Sequence, residues 1–261
     1  MNRLANLFRT RTHPLLNVYF TAGFPALDST VPIIRALDAA GADLIELGMP
    51  YSDPMADGET IQQSGMRALR NGMTVGMLFE QVREARRHTE IPLVLMGYYN
   101  QVMQYGVERF VREAKEAGVD GLILPDLPVA EYDEQLRGLA EAYDLQVTFL
   151  ITPQTSDERI AQVGKLSTGF VYVVSSASIT GKSGEITSEQ EEYFDRINSL
   201  ELKQPKLIGF GISDAKSFRT ACQYADGAII GSAFIRAIDG QEGRLTEAVT
   251  EFVEGILEPV G

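Results

Sequence analysis

The segment AGADLIELG, residues 40–48, runs from the end of an amphipathic stretch through a glycine into a short apolar run. The same order recurs in AGVDGLI at 117–123 and in YADGAII at 224–230. Gly41 and Gly118 stand where a left-handed glycine commonly ends a helix, so each segment is typical of a helix that turns into a strand. A unit that recurs in this way predicts parallel strands joined by helices.

Eight apolar runs of strand length occur along the chain, and most of them are continuously apolar rather than alternating. Such runs are typical of parallel strands that are buried on both faces. The predicted strands are 17–21, 43–48, 93–97, 121–124, 146–151, 170–175, 206–209 and 227–230, and the predicted helices are 29–40, 59–88, 103–117, 130–142, 156–166, 188–200, 213–223 and 243–257. Eight strand–helix units predict one α/β domain over residues 1–261, a (β/α)8 TIM barrel. The alternative, a doubly wound open sheet, needs fewer strands and leaves part of the chain unassigned.

A stripe formed by Leu4, Leu7 and Phe8 predicts a short N-terminal helix packed against the barrel. Residues 1–27 contain three arginines and no acidic residue, which is also typical of an organelle-targeting helix. Strand-like sequence already begins near Leu15, however, and this favours the packed helix. No apolar run approaches the ~18 residues of a membrane span, and we expect a cytoplasmic protein.

The composition excludes several classes of site and partner. A net charge of −13 disfavours binding to nucleic acid or to an anionic membrane. The one cysteine, Cys222, excludes an intramolecular disulfide and a cysteine-rich zinc site. The two histidines, His13 and His88, are too few for a multi-histidine metal site, and both are typical of surface positions. We therefore expect no metal, and expect proton chemistry to depend on carboxylates, Tyr or Lys.

Glu46 is the first candidate for that chemistry. Side chains alternate along a strand, so Leu44, Glu46 and Gly48 share one face while Ile45 and Leu47 share the other. The bulkier pair suits the helix-facing side, which directs Glu46 into the barrel near the carboxyl ends of the strands, where barrel enzymes place their chemistry. Burial there raises a carboxyl pKa. The alternative is a structural glutamate that pairs with a buried arginine or caps backbone amides.

Two further carboxylates lie in the loop MPYSDPMADG, residues 49–58, which is long for a simple connection. Asp57 precedes a glycine and Asp53 precedes a proline, so the alternatives for them are a helix cap and a turn. Asp43, Asp120 and Asp226 begin strands at the opposite end of the barrel, and we expect these three to be structural.

Glycines cluster in the loops after the last three predicted strands, in TGKSG at 180–184, GFGIS at 209–213 and GS at 231–232. Glycine lets backbone N–H groups approach an anion, and the loops after strands seven and eight are the usual phosphate site of a barrel. A phosphate site suits an acidic chain, because local N–H dipoles can hold an anion against the net charge. The alternative is that these glycines only allow tight turns.

These segments together resemble the tryptophan synthase alpha subunit family. The most specific is IELGMPYSDPMADG at 45–58, which places two carboxylates at the spacing of the family signature. The resemblance extends over nearly the whole chain, through YFTAGFP at 19–25, MGYYN at 96–100, PDLP at 125–128, ITP at 151–153, GFGIS at 209–213 and GSA at 231–233. One departure is Ser176, where the family often has arginine in a mobile loop.

The resemblance implies a lyase that splits indole-3-glycerol phosphate into indole and glyceraldehyde 3-phosphate. It implies that Glu46 is the acid–base group, that Asp57 stabilises positive charge at the indole N–H, and that Tyr172 assists. The implied indole pocket is Tyr19, Phe20, Met96 and Tyr98, and the implied phosphate site is Gly181, Gly211, Gly231 and Ser232.

It also implies an α–β–β–α complex, in which a beta subunit carries pyridoxal phosphate and receives the indole, while this chain holds no cofactor. The implied interface positions are Asp53, Pro54, Asn100 and Pro128.

Two other functions stay open at this point. One is a phosphosugar isomerase or aldolase of the same fold, although no predicted strand places a lysine at its carboxyl end for a Schiff base. The other is a non-catalytic barrel that only binds and activates a beta-type partner. An inward glutamate disfavours the second, because a binding module has no need of one.

Overall fold

The computed structural model describes residues 2–54, 57–175, 187–200, 202–209 and 211–258. Within these residues, eight parallel strands close into a barrel in which each strand lies beside its neighbours in sequence and β8 pairs with β1. The strands are β1 Leu15–Thr21, β2 Leu44–Gly48, β3 Leu93–Met96, β4 Gly121–Ile123, β5 Gln146–Ile151, β6 Val171–Val174, β7 Lys206–Gly209 and β8 Gly227–Ile230. The predicted (β/α)8 TIM barrel is confirmed, and each strand lies where an apolar run predicted it.

The connections are mainly helical. The helices are α1 Arg3–Thr10, α2 Thr30–Ala40, α3 Glu59–Arg70, α4 Val75–Ala85, α5 Tyr99–Tyr105, α6 Val107–Ala117, α7 Val129–Glu131, α8 Arg137–Ala142, α9 Asp157–Leu166, α10 Ser188–Ser199, α11 Ala215–Ala221, α12 Ser232–Ile238 and α13 Leu245–Leu257, with a π-helical turn at Tyr132–Leu136 and a 3-10 turn at Glu242–Arg244. None of the helices described here is both long and apolar enough to cross a membrane.

The prediction of one helix over 59–88 was wrong. Gly72 adopts a φ of 93° between α3 and α4, a backbone conformation that a continuing helix cannot contain. Thr74 then begins α4 by accepting the N–H of Met77 at 3.2 Å. Gly106, with a φ of 92°, separates α5 from α6 in the same way, so the helix predicted over 103–117 is also two helices.

Apolar side chains form two layers, because successive residues of each strand face opposite sides. Leu44 and Tyr172 belong to the group inside the barrel, whereas Ile45 and Leu47 pack between the strands and the helices. The predicted N-terminal helix is present as α1, and its Leu4 is fully buried in the interior group. The amino end of the barrel is therefore closed by apolar side chains.

Aspartates join neighbouring strands at that amino end. Asp43, Asp120 and Asp226 precede β2, β4 and β8, and each accepts a backbone N–H from the preceding strand, at 2.8, 3.0 and 2.6 Å respectively. These N–H groups begin their strands and would otherwise lack an acceptor in the ladder. The three aspartates therefore have a structural role, which is to join neighbouring strands at the amino end of the barrel.

Candidate active site

Glu46 lies on β2 and points into the barrel, as the alternation of its strand predicted. Its side chain is fully buried, and its Oε1 accepts a hydrogen bond from Nδ2 of Asn17 at 2.5 Å. Oε2 has no hydrogen-bond partner in the part of the chain that the structure describes. Burial raises the pKa of Glu46 to about 8, against a smaller lowering by the Asn17 hydrogen bond. A carboxyl with such a pKa exchanges protons readily near neutral pH.

Asp57 lies in the loop after β2, and its Oδ2 accepts a hydrogen bond from the Tyr98 hydroxyl at 3.3 Å. Burial raises the pKa of Asp57, and the Tyr98 hydrogen bond opposes that rise. Gly58 is the N-cap of α3, which has no side-chain cap, so Asp57 does not cap the helix. Asp53, by contrast, is exposed and accepts from the hydroxyl of Ser52 at 2.5 Å.

Two buried tyrosines stand beside the carboxyls, Tyr19 on β1 and Tyr172 on β6. Burial raises the pKa of both hydroxyls, so each stays protonated at neutral pH. Each ring lies over a glycine that ends the next strand. A Cβ at Gly48 would stand 2.2 Å from the Tyr19 hydroxyl oxygen, and one at Gly209 would stand 2.3 Å from that of Tyr172. Only glycine at these two positions leaves room for the tyrosines.

The four residues predicted for the indole pocket differ in orientation, and Phe20 does not face the barrel interior. Tyr19 and Met96 face the barrel interior, and Tyr98 is the N-cap of α5, two residues after the end of β3. Phe20 instead points outward, fully buried between the strands and the helices, with its ring 6.3 Å from that of Phe234 on α12. Because Tyr19 faces inward, its neighbour in the strand must face outward.

The predicted phosphate residues follow β7 and β8. Gly211 adopts a φ of 78°, which favours glycine, and Gly231 is the residue from which α12 begins at Ser232. The first N–H groups of a helix have no acceptor within that helix. Gly181 and the departure at Ser176 lie outside the described residues.

The predicted interface positions follow the carboxyl ends of β2, β3 and β4, on the side of the barrel where Glu46 and Asp57 are found, and Asn100 lies in the first turn of α5. Asp53 and Pro128 are exposed, while Pro54 and Asn100 are partly exposed. Nδ2 of Asn100 donates to the Tyr51 hydroxyl at 2.6 Å, and the Tyr51 ring stacks on Tyr98 at 5.2 Å between centroids. Asn100 is therefore linked through Tyr51 to Tyr98, the residue that donates a hydrogen bond to Asp57.

One residue of the site was not predicted. Asn17 is fully buried inside the barrel and is the hydrogen-bond partner of Glu46. The alternation that places Tyr19 inward also places Asn17 inward, so the sequence carried a signal for it. Across residues 2–54, 57–175, 187–200, 202–209 and 211–258, no three His, Cys, Asp or Glu side chains group as metal ligands.

Known proteins resemble this chain over almost all of its length. A sequence model of a protein family, described as tryptophan synthase alpha chain, matches residues 6–257. The chain belongs to this family. Membership places it in tryptophan synthesis and supports a lyase function.

Individual members of the family agree with that assignment. The tryptophan synthase alpha chain of Christiangramia forsetii is 52% identical over 239 residues, which cover 92% of this chain and 93% of that one. The alpha chain of Phocaeicola vulgatus is 46% identical over 256 residues, covering 98% and 99% respectively. Among solved structures, the tryptophan synthase complex of Pyrococcus furiosus superimposes with a TM-score of 0.85 at 37% identity, covering 94% of this chain and 99% of that chain.

Proposed function

We propose that this chain splits indole-3-glycerol phosphate into indole and glyceraldehyde 3-phosphate by retro-aldol cleavage. The observation that supports this most strongly is Glu46: a buried carboxyl at the carboxyl end of a barrel strand, with a pKa of about 8 and one oxygen without a partner in the described chain. Neither a binding module nor a structural glutamate explains that arrangement. A buried carboxyl oxygen without a hydrogen-bond partner lowers the stability of the fold, and a catalytic role explains why it is present.

The cleaved bond joins indole C3 to the glycerol chain, and indole is a poor carbanion leaving group. C3 must therefore be protonated first, which gives a 3H-indolium cation that keeps its N1–H and carries positive charge at N1. Glu46 is largely protonated at neutral pH because its pKa is about 8, and it donates this proton to C3. The resulting carboxylate then removes the proton from the side-chain hydroxyl, the carbon–carbon bond breaks, and Glu46 returns to its starting state.

Asp57 acts at the other end of the indole ring. It faces N1–H and stabilises the positive charge that develops there as C3 is protonated. The hydrogen bond from Tyr98 holds its carboxyl in place. Tyr172 remains neutral because burial raises its pKa, so it assists as a hydroxyl donor rather than as a base.

The two ends of the substrate need different surroundings. The inward side chains Tyr19 and Met96, together with Tyr98, form the apolar pocket for indole, and Phe20 is excluded from it by its outward orientation. Backbone N–H groups at Gly211, Gly231 and Ser232 hold the phosphate, with Gly181 completing the site. An anion in a protein of charge −13 depends on such local dipoles.

A beta subunit is the expected partner, because the matching Pyrococcus furiosus structure is of a tryptophan synthase complex. In this proposal the indole passes to that subunit, which carries the pyridoxal phosphate, within an α–β–β–α complex in the cytoplasm. The reaction in this chain needs no cofactor of its own. The contact surface consists of Asp53, Pro54, Asn100 and Pro128, which follow β2, β3 and β4 at the end of the barrel where indole is released.

The test is indole release from indole-3-glycerol phosphate by the purified chain, alone and with a beta subunit, for the wild type and for Glu46→Gln. Loss of the acid–base group should lower the rate by roughly 10²- to 10⁴-fold. Glu90→Gln is the matched control, because that glutamate is 78% exposed at the amino end of the barrel. Release of indole by Glu46→Gln at the wild-type rate would contradict the proposal.

A further inference from the structure

Asn17 and Glu46 form a polar pair inside a barrel that is otherwise filled mainly by apolar side chains. They come from adjacent strands, and both side chains are fully buried. We propose that Asn17 is a positioning residue, which holds Oε1 of Glu46 so that Oε2 is the oxygen that exchanges the proton with the substrate. This inference rests on the proposed function and adds to it the atom at which Glu46 acts.

The argument begins with the two carboxyl oxygens, which have different surroundings. Oε1 accepts the Nδ2–H of Asn17 at 2.5 Å, whereas Oε2 has no hydrogen-bond partner in the described residues. A proton on Oε1 would have to compete with the amide hydrogen for the same oxygen. The neutral form of Glu46 therefore carries its proton on Oε2.

Packing alone does not explain an asparagine at position 17, because its buried amide lowers the stability of the fold. Its Oδ1 is buried and has no hydrogen-bond partner among the described residues. A buried polar group without a partner costs about 1–3 kcal/mol, and an apolar side chain at this position would avoid that cost. An amide at this position is explained by what its N–H does to Glu46.

The same hydrogen bond acts on the charge of the carboxyl. Two ionisable groups interact with Glu46, the hydroxyls of Tyr19 on β1 and Tyr172 on β6, and both of them also interact with Asp57 in the loop after β2. The Asn17 hydrogen bond lowers the pKa of Glu46 against the larger effect of burial. Removal of the donor therefore leaves burial unopposed and raises that pKa further.

The two proton transfers return Glu46 to its starting protonation state and need no other reactant. First the O–H bond at Oε2 breaks and a C–H bond forms at indole C3, which leaves Glu46 as a carboxylate. Next the O–H bond of the substrate hydroxyl breaks and the O–H bond at Oε2 forms again as the carbon–carbon bond cleaves. Oε1 keeps its hydrogen bond to Asn17 throughout both transfers, so the carboxyl does not have to turn.

Asn17→Leu tests the inference, because leucine has the same number of side-chain heavy atoms and no donor. We expect kcat to fall by roughly 10- to 100-fold, the cost of misplacing a catalytic group by about 1 Å, with KM nearly unchanged. We also expect the alkaline limb of the kcat–pH profile to move to higher pH than in the wild type, because the Asn17 hydrogen bond lowers the pKa of Glu46. Thr148→Val, which removes a buried polar group from β5, is the matched control and should leave that limb in place.

A second readout separates this inference from the proposed function. The pKa of Glu46, measured by carbon-13 NMR on the labelled carboxyl, does not require turnover and should be higher in Asn17→Leu than in the wild type. An unchanged pKa and an unchanged alkaline limb would overturn the role of Asn17 even if the wild type releases indole. If the leucine variant does not fold, Asn17→Asp replaces it, where two facing carboxyls should share one proton and raise the second apparent pKa.

Discussion

The two ends of the barrel differ in the partners that they give to a buried carboxyl. At the amino end, the side chain of Asp120 is 2% exposed and accepts from Arg86 at 2.7 Å, from Arg3 at 3.3 Å and from the N–H of Leu93 at 3.0 Å. Towards the carboxyl end, Glu46 is equally buried, and among the described residues it accepts a hydrogen bond from Asn17 alone. The two carboxyls are thus buried to the same degree, but only Asp120 has its charge balanced.

This difference in partners indicates that the carboxyl at the amino end stabilises the fold, whereas the one towards the carboxyl end serves the reaction. Burial lowers the pKa of Arg86 to about 10, with Asp120 opposing that effect, so the guanidinium stays charged at neutral pH and the ion pair is retained. Among the described residues no cation lies beside Glu46, so burial keeps its carboxyl protonated up to near neutral pH, where the proton can be transferred. The amino end joins strands to one another, and the carboxyl end keeps a reactive group.

The largest effect on stability is expected at the amino end. Asp120→Asn leaves the Arg86 charge buried without its partner, which should lower the free energy of unfolding by about 3–5 kcal/mol. The rate of indole release per folded molecule should be unchanged, because the residue lies at the opposite end from Glu46. Urea denaturation and an activity assay at low denaturant measure the two quantities.

Asp226→Asn is the control for that experiment. Asp226 has the same place before its strand and also pairs with an arginine, Arg11, but its side chain is 24% exposed. Its loss should cost only about 1 kcal/mol. An equal cost at the two positions would mean that burial of the ion pair is not what distinguishes Asp120.

A smaller effect is expected from Gly209→Ala at the carboxyl end. The new Cβ would stand 2.3 Å from the Tyr172 hydroxyl oxygen and must displace the tyrosine. We expect kcat to fall by roughly tenfold, since Tyr172 assists the reaction but does not carry the proton. Gly138→Ala, where a Cβ meets nothing within 4 Å, should leave kcat unchanged. A wild-type kcat in Gly209→Ala would remove Tyr172 from the reaction.

The fold was largely predictable, because strands buried on both faces give continuous apolar runs that stand out from the helices between them. The break between α3 and α4 was missed, although Gly72 precedes a threonine suited to cap a helix, because the surrounding sequence stays amphipathic. The short helix α12 was missed because its seven residues give no clear period.

The site also contains some features that the sequence predicts and others that it does not. Alternation along β2 placed Glu46 correctly, and applied to β1 it would have excluded Phe20 and found Asn17. Contacts between distant segments, such as Tyr98 with Asp57, depend on how loops fold over the barrel. A sequence without structural information does not contain such contacts in any local pattern.

The most direct test of this comparison is the free energy of unfolding of the wild type and of Glu46→Gln, measured from pH 4 to pH 9. Glu46 has a pKa of about 8 when folded and 4.5 as a free side chain, so unfolding releases a proton between these values. The wild type should lose stability relative to the variant as pH rises through this window, and the difference should level off above pH 8 at roughly 5 kcal/mol. A difference that does not change with pH, or a variant that becomes the less stable protein as pH rises, would show that the charge of Glu46 is balanced after all.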